Sequence, residues 1–286
     1  MIRGPLNQIM SRLNQGEEAW TLVEKEQGLV GWIDVGEAML IAREVEAWDE
    51  FLQRAPQPVQ MFLIHLSGQL NDDVGEHLRG LLQLVRSAPF QSQVLEARIR
   101  LEQAVLDAAE GRVEQAVERA EWAEVRLSTL GRGGRHHAMA VIVRLNILIR
   151  ADQGLRALHL CSEITRDGKH DPWTIGHTRL IAGRIMAALG RPDEAIRVTW
   201  IALCLLNGVN DQQGAIEAAE LLLASAETDK QCDVRLFDRT GLNLDWTYGQ
   251  DVSPTASSGK VLSMNELGMH KQDYTEVRKF LSQSRD

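Results

Sequence analysis

The sequence predicts an all-α fold: a solenoid of antiparallel helical hairpins over roughly residues 17–228, followed by a small β-hairpin and helix segment. Three observations predict it. Strong helix formers (Ala, Leu, Glu, Arg and Gln) dominate the chain, and only 7 prolines interrupt its 286 residues. Short apolar helices recur in pairs with a regular spacing of small residues. After Lys230 the pattern changes to alternation of apolar and polar residues. A content of 44% hydrophobic residues is enough to fill a substantial core.

Residues 1–90 read as degenerate helical hairpins. Residues 17–55 are helical in pattern, with breaks expected at Gly28, Gly31 and Gly36. The stretch "VQMFLIHLSGQLNDDVGEHLRGLLQLVRSAP" reads as two helices, and Pro56 and Pro89 each follow an apolar helix. Asp72 and Asp73 fit an exposed turn between the two.

Residues 91–228 carry the repeat. In "LEARIRLEQAVLDAAEGRVEQAVERAEWAEVRLSTLG" a helix ends near Ala109 and a turn follows at Glu110-Gly111. A second helix then places Ala116, Ala120 and Ala123 on one face. Aligned with it, "TIGHTRLIAGRIMAALGRPDEAIRVTWIALCLLNG" sets Gly183 on Ala104, Gly190 on Gly111, Ala195 on Ala116 and Ala202 on Ala123. Between them "HHAMAVIVRLNILIRADQGLRALHLCSEITRDG" places Ala157 at the same point after the turn "DQG". Leu145 and Ile164 replace two of the small residues there. Ala116, Ala157 and Ala195 are thus 41 and 38 residues apart.

Small residues are expected where two helix backbones cross. Glycine ends the first helix, and "RPDEA" starts the second with a proline and acids at its positive end. Gly183, read as a crossing position, should accept Ala but not Leu. A fourth first helix is expected at "QQGAIEAAELLLASAE". One hairpin cannot bury its apolar face, whereas stacked hairpins can.

The spacing of Ala104, Gly111, Ala116 and Ala123, repeated by Gly183, Gly190, Ala195 and Ala202, resembles the tetratricopeptide repeat. The period exceeds that family's usual value of about 34 residues and is similar to longer variants found in bacterial regulators. The resemblance implies a right-handed superhelix whose first helices line a concave groove. It also implies a non-catalytic scaffold or regulatory module that binds a protein or peptide segment there. The inward positions it assigns are Arg98, Leu101, Val105 and Ala108, then Met139, Ile142, Asn146 and Ile149 with Arg150 adjacent, then His177, Leu180, Arg184 and Ala187. The expected ligand-binding residues are therefore Arg98, Asn146, Arg150, His177 and Arg184. An asparagine can bond both N–H and C=O of an extended peptide, and arginines suit its carboxylates. The family's carboxylate clamp is not reproduced, because Leu101 and Val105 occupy its first-repeat positions.

Residues 229–286 form the third segment. "CDVRLFDRTGLNLDWTYG" reads as a β-hairpin around Asp238–Gly241 and "DVSPTASSGK" as a loop. "KQDYTEVRKFLSQ" reads as an amphipathic helix with Tyr274, Val277, Phe280 and Leu281 on one side. That helix is a candidate cap for the open apolar end of the array, or an occupant of the protein's own groove.

Net charge and motifs narrow the function class. A formal charge of −9 argues against a general nucleic-acid binder. The longest apolar run, "WIALCLL", is far short of the roughly 20 residues a membrane helix needs. The N-terminus lacks a signal-peptide pattern, and Cys161, Cys204 and Cys232 read as reduced thiols, so a cytoplasmic protein is expected. No cofactor or metal motif is present. "SSGKVLS" lacks the upstream glycine and the hydroxyl of a phosphate loop. His159 and Cys161 lie on different sides of a helix, and His170-Asp171 precede a helix that Asp171 could cap. No nucleophile is matched to a base, so no enzyme activity is expected.

The rival reading is a nucleic-acid or anion-binding regulator. It rests on "GRGGRHH", where Arg132, Arg135, His136 and His137 follow flexible glycines, with Arg126, Arg144 and Arg156 nearby.

Overall fold

A computed structural model describes residues 6–25, 28–42, 45–68, 73–87, 92–228 and 275–284. The expected β-hairpin, the loop after it and Cys232 lie outside the described residues. Everything described is helix or helix connection, with no strand among the described residues. The chain divides into two compact units, Met1–Ala151 and Asp152–Asp286.

The first unit contains α1 (Asn7–Asn14), α2 (Ala19–Lys25), α3 (Gly28–Ala42), α4 (Val45–Arg54), α5 (Gln57–Ser67), α6 (Val74–Ser87), α7 (Gln93–Ala109), α8 (Val113–Gly131) and α9 (Arg135–Arg150). Its core gathers around α3, which packs against α1, α2 and α5. Ile33 and Met39 of α3 meet Phe51, Phe62, Leu63, Leu78 and Leu81, all fully or almost fully buried. The indoles of Trp20, Trp32 and Trp48 surround the Phe51 ring at 5.7, 5.1 and 6.3 Å between centroids. Gly31 and Gly36, expected as breaks, instead lie buried inside α3. At Gly36 the reason is visible: a side-chain carbon there would overlap the Leu63 methyls of α5. The residue is a close approach between helices, not a terminator. A second core joins α7, α8 and α9 through Ala97, Leu101, Ala123, Leu127, Met139 and Ala140.

The second unit contains α10 (Gly154–Asp167), α11 (Pro172–Ala188), α12 (Pro192–Gly208), α13 (Gln212–Thr228) and α14 (Thr275–Ser284). Helices α11 and α12 form a closely packed hairpin, with α10 against α11 and α13 against α12. Asp171 caps α11, its carboxylate accepting from the Thr174 N–H at 2.7 Å. Helix α14 lies against α13 and buries Val277 and Leu281. The apolar side of the C-terminal helix therefore covers the last hairpin helix. Cys161 and Cys204 are free thiols whose pKa values burial pushes up to about 12, which makes them inert at neutral pH.

The repeat appears in the backbone as well as in the alanines. Gly111 and Gly190 adopt left-handed φ values of 78° and 70°. In both turns the next N–H reaches back five residues, Arg112 to Asp107 C=O at 2.8 Å and Arg191 to Met186 C=O at 2.9 Å. That is the bond pattern of a Schellman stop. The α12–α13 turn repeats it with Asn210 at φ 59° and Asp211 N–H bonding Leu206 C=O at 2.9 Å. Asp152 takes the same conformation at φ 56°. Each of these four residues stands five positions ahead of a fully buried alanine: Ala116, Ala157, Ala195 or Ala215. In the middle repeat the slot belongs to Asp152, whereas Gly154 opens α10.

Candidate functional site

Helix α3 is apolar in sequence except for Asp34 and Glu37, three residues apart and thus on one face. Both carboxylates meet cations from the repeat helices. Arg98 of α7 donates to Glu37 through two nitrogens, at 2.5 Å to Oε1 and 3.4 Å to Oε2. Arg135 of α9 pairs with both Asp34 and Glu37. Arg98 also donates to Nδ1 of His136 at 3.1 Å, and His136 Nε2 lies 3.1 Å from Asp34 Oδ1. A neutral imidazole with its proton on Nε2 satisfies both contacts. Arg98 and Glu37 are completely shielded from solvent, and the Arg98 guanidinium stands over the Phe62 ring at 5.4 Å.

The electrostatics follow from this enclosure. Burial drives the His136 pKa down to about 4, against the hydrogen bond to Asp34, which raises it. Burial also pushes the Asp34 carboxyl up, but the His136 hydrogen bond and the guanidiniums of Arg135 and Arg98 outweigh it. The net effect holds Asp34 below the usual carboxylate range. In formal charge the acids Asp34 and Glu37 match the guanidiniums of Arg98 and Arg135, with the neutral His136 between them.

A second inward group ties α8 to α9. The Gly133 N–H donates to His137 Nδ1 at 3.0 Å, and His137 Nε2 lies 2.9 Å from Glu124 Oε1. Arg144 spans Glu124 at 2.8 Å and Glu121 at 2.5 Å. Burial raises the Glu124 carboxyl, but His137 and Arg144 together hold it below its ordinary value.

These contacts decide where the expected site residues stand. Arg98, expected on an open groove floor, is buried and already holds a carboxylate, the chain's own Glu37. Of the expected anion-binding set, Arg135, His136 and His137 belong to the first turn of α9 and point at Asp34, Glu37 and Glu124; Arg132 is exposed. The physical reason is that α9 starts at Arg135. The basic string is a helix turn facing acids, not a free loop.

Asn146 and Arg150 are exposed on α9. Near them Ile149 is 37% exposed, and on the neighbouring helix α7 Val105 is 42% exposed. In the repeat register Val105 corresponds to Asn146, and Ala108 to Ile149. The C-terminal halves of these first helices are therefore open where their N-terminal halves, at Arg98, Leu101, Met139 and Ile142, are covered.

In the second unit His177 is half-buried against Trp173, with ring centroids 4.3 Å apart. Asp211 receives three bonds on its two oxygens: Trp173 Nε1 at 2.6 Å, His177 Nε2 at 2.7 Å and the Gly214 N–H at 3.0 Å. Burial raises its carboxyl, but His177, Gly214 and Trp173 hold it lower than usual. Arg184 pairs with Glu217 at 2.6 Å on the surface. His177 and Asp211 form a dyad that fastens the start of α13 to α11, with Asp211 as helix cap.

Among the described residues no group of three or more His, Cys, Asp or Glu could hold a metal ion, and no described helix is long and apolar enough to cross a membrane. No protein-family profile matches the chain, and no curated protein matches its sequence.

Proposed function

We propose that this chain is a cytoplasmic, non-catalytic scaffold of the tetratricopeptide-like type that holds a segment of another protein against its first helices. The open face on α7 and α9 carries the reading. Val105 and Ile149 expose apolar surface on adjacent first helices, beside the unburied amide of Asn146 and guanidinium of Arg150. Apolar contact supplies affinity there, while the amide and guanidinium suit the polar backbone and carboxylates of an extended peptide. Arg98 drops out of the binding set because Glu37 occupies it. The right-handed superhelix belongs to this proposal; the turn pattern shared by the hairpins supports their being repeats of one unit. The rival anion-binding reading retains Arg132 alone as an exposed member of its set.

The test uses a photo-reactive residue in place of Val105 or Ile149, with Leu155 as an exposed control. A partner crosslinked from both α7 and α9 positions but not from Leu155 is the expected result. The double variant Val105→Glu, Ile149→Glu should lose that partner while melting within about 2 °C of the parent. Equal capture from all three positions, or undiminished capture by the double variant, would refute the reading. Steep loss of capture with salt would return the rival to contention.

A further inference from the structure

A polar cavity of about 400 Å³ lies where the N-terminal end of α6, the C-terminal half of α7 and the N-terminal half of α8 meet. Three arginines line it: Arg79 of α6, Arg112 at the α7–α8 turn and Arg119 of α8. The acids among them are already engaged. Asp107, almost fully buried, accepts from Arg112 Nε on Oδ1 at 2.8 Å and from Arg119 Nη1 on Oδ2 at 2.5 Å. Glu110 pairs with the remaining arm of Arg112. Asp73 uses Oδ1 to cap α6, accepting from the Gly75 and Glu76 N–H groups at 2.8 and 3.2 Å.

The donors are not used up. Arg79 makes no hydrogen bond or ion pair with any described residue, and Arg119 commits one nitrogen of its fork. The amides of Gln103 and Gln115 also line the space and are unbonded among the described residues.

We propose that this cavity binds an oxyanion, a phosphate or carboxylate group, held by the forks of Arg79 and Arg119 and by the amides of Gln103 and Gln115. The spare N–H groups of Arg79, Arg119, Gln103 and Gln115 outnumber the spare oxygens of Asp73, Glu110 and the two amides, so the cavity takes an acceptor-rich guest, and arginine forks match phosphate and carboxylate oxygens in pairs. The buried Asp107 acts as a positioning residue: it fixes Arg119 and Arg112 at the cavity wall. The guest is either a free small anion or such a group on a peptide. This site is independent of the face on α7 and α9.

The experiment is calorimetric titration of the full chain with inorganic phosphate, succinate and a capped alanine pentapeptide bearing a central phosphoserine, at constant ionic strength set with chloride. At least one of the three should bind. Arg79→Ala, an exposed change that removes no internal bond, should weaken it about tenfold or more at unchanged melting temperature. Gln115→Ala should weaken it less, and Val105→Glu not at all. A peptide that binds more tightly than phosphate identifies a phosphorylated chain as the source; equal affinity identifies the free anion. Absence of binding by all three probes, or equal binding by parent and Arg79→Ala, would overturn the proposal.

Discussion

The crossing of α11 and α12 at Gly183 allows a quantitative test of the repeat packing. A side-chain carbon built on Gly183 overlaps the Thr199 hydroxyl of α12, while its other neighbours, Val198 Cγ2 and Leu221 Cδ2, stand at an ordinary 3.4 Å. The sequence led to the expectation that alanine would fit. The structure shows one obstacle to it, and that obstacle is the Thr199 oxygen. Overpacking of this kind costs about 1–3 kcal/mol, while alanine gains about 1 kcal/mol over glycine in a helix interior. Gly183→Ala should therefore be neutral to about 2 kcal/mol destabilising. In a Thr199→Ala background the obstacle is gone and the same change should stabilise by about 1 kcal/mol, giving a coupling of about 1–3 kcal/mol. Thr199→Val is the control. It keeps the bulk, so it should not rescue Gly183→Ala. It also removes a buried hydroxyl with no partner among the described residues, so alone it should be neutral or stabilising. Urea unfolding followed by far-ultraviolet circular dichroism and tryptophan fluorescence measures all four corners of the cycle. Additivity within about 0.5 kcal/mol would show that the two helices do not cross at this pair.

Two further predictions concern the buried ionic cluster. Glu37→Gln leaves Arg98 charged without its main partner and should cost about 3–5 kcal/mol by urea unfolding. Glu37→Gln with Arg98→Met should recover most of that loss, and no recovery would show that the pair does not act as a unit. The second concerns pH: the His136 pKa is near 4 in the folded state and near 6.5 when unfolded. Below pH 6.5 the unfolded chain takes up a proton that the native state refuses, so stability falls from pH 6.5 towards 4, by an amount on the order of 3 kcal/mol. The lowered Asp34, Glu124 and Asp211 carboxyls add losses at still lower pH, and His136→Gln should flatten only the upper part of the profile. A parent profile already flat between pH 6.5 and 4 would refute the assignment.

The hairpins were legible because their physics is local. A left-handed residue, a buried alanine five positions later and a small partner across the crossing all fall within one repeat. At two turns the left-handed residue itself was not legible, because Asp152 and Asn210, rather than glycine, hold that slot, which short polar side chains tolerate. The division after Ala151 left no mark in composition. The candidate site was legible only in part. Asn146 and Arg150 follow from register alone and are indeed exposed. Arg98 and Arg135 do not, because their acids are 61 and 101 residues away in sequence. The one local sign was the pair Asp34 and Glu37 inside "GLVGWIDVGEAMLIA". Two acids three apart in an otherwise apolar helix require partners, but their spacing does not say which cations supply them.

That helix also accounts for the use of the inward cations. Helix α3 buries a stripe of Gly31, Val35, Ala38 and Met39 and also Ile33, Gly36 and Glu37, which lie on the far side of it, so burial extends around most of its circumference. Hydrophobic burial alone would favour many rotations of such a helix nearly equally. Asp34 and Glu37 break the degeneracy, since any other rotation would leave two carboxylates or two guanidiniums buried without partners, at a cost of several kcal/mol. Orientation of α3 on the repeat helices thus consumes the guanidiniums of Arg98 and Arg135 and the neutral imidazole of His136, in the N-terminal halves of α7 and α9. The other half of those helices, with Val105, Asn146, Ile149 and Arg150, stays uncovered, and it is to that half that the proposed peptide site is assigned. A helix that used the same cations only for a transient ligand would carry them exposed; here their enclosure marks them as part of the framework.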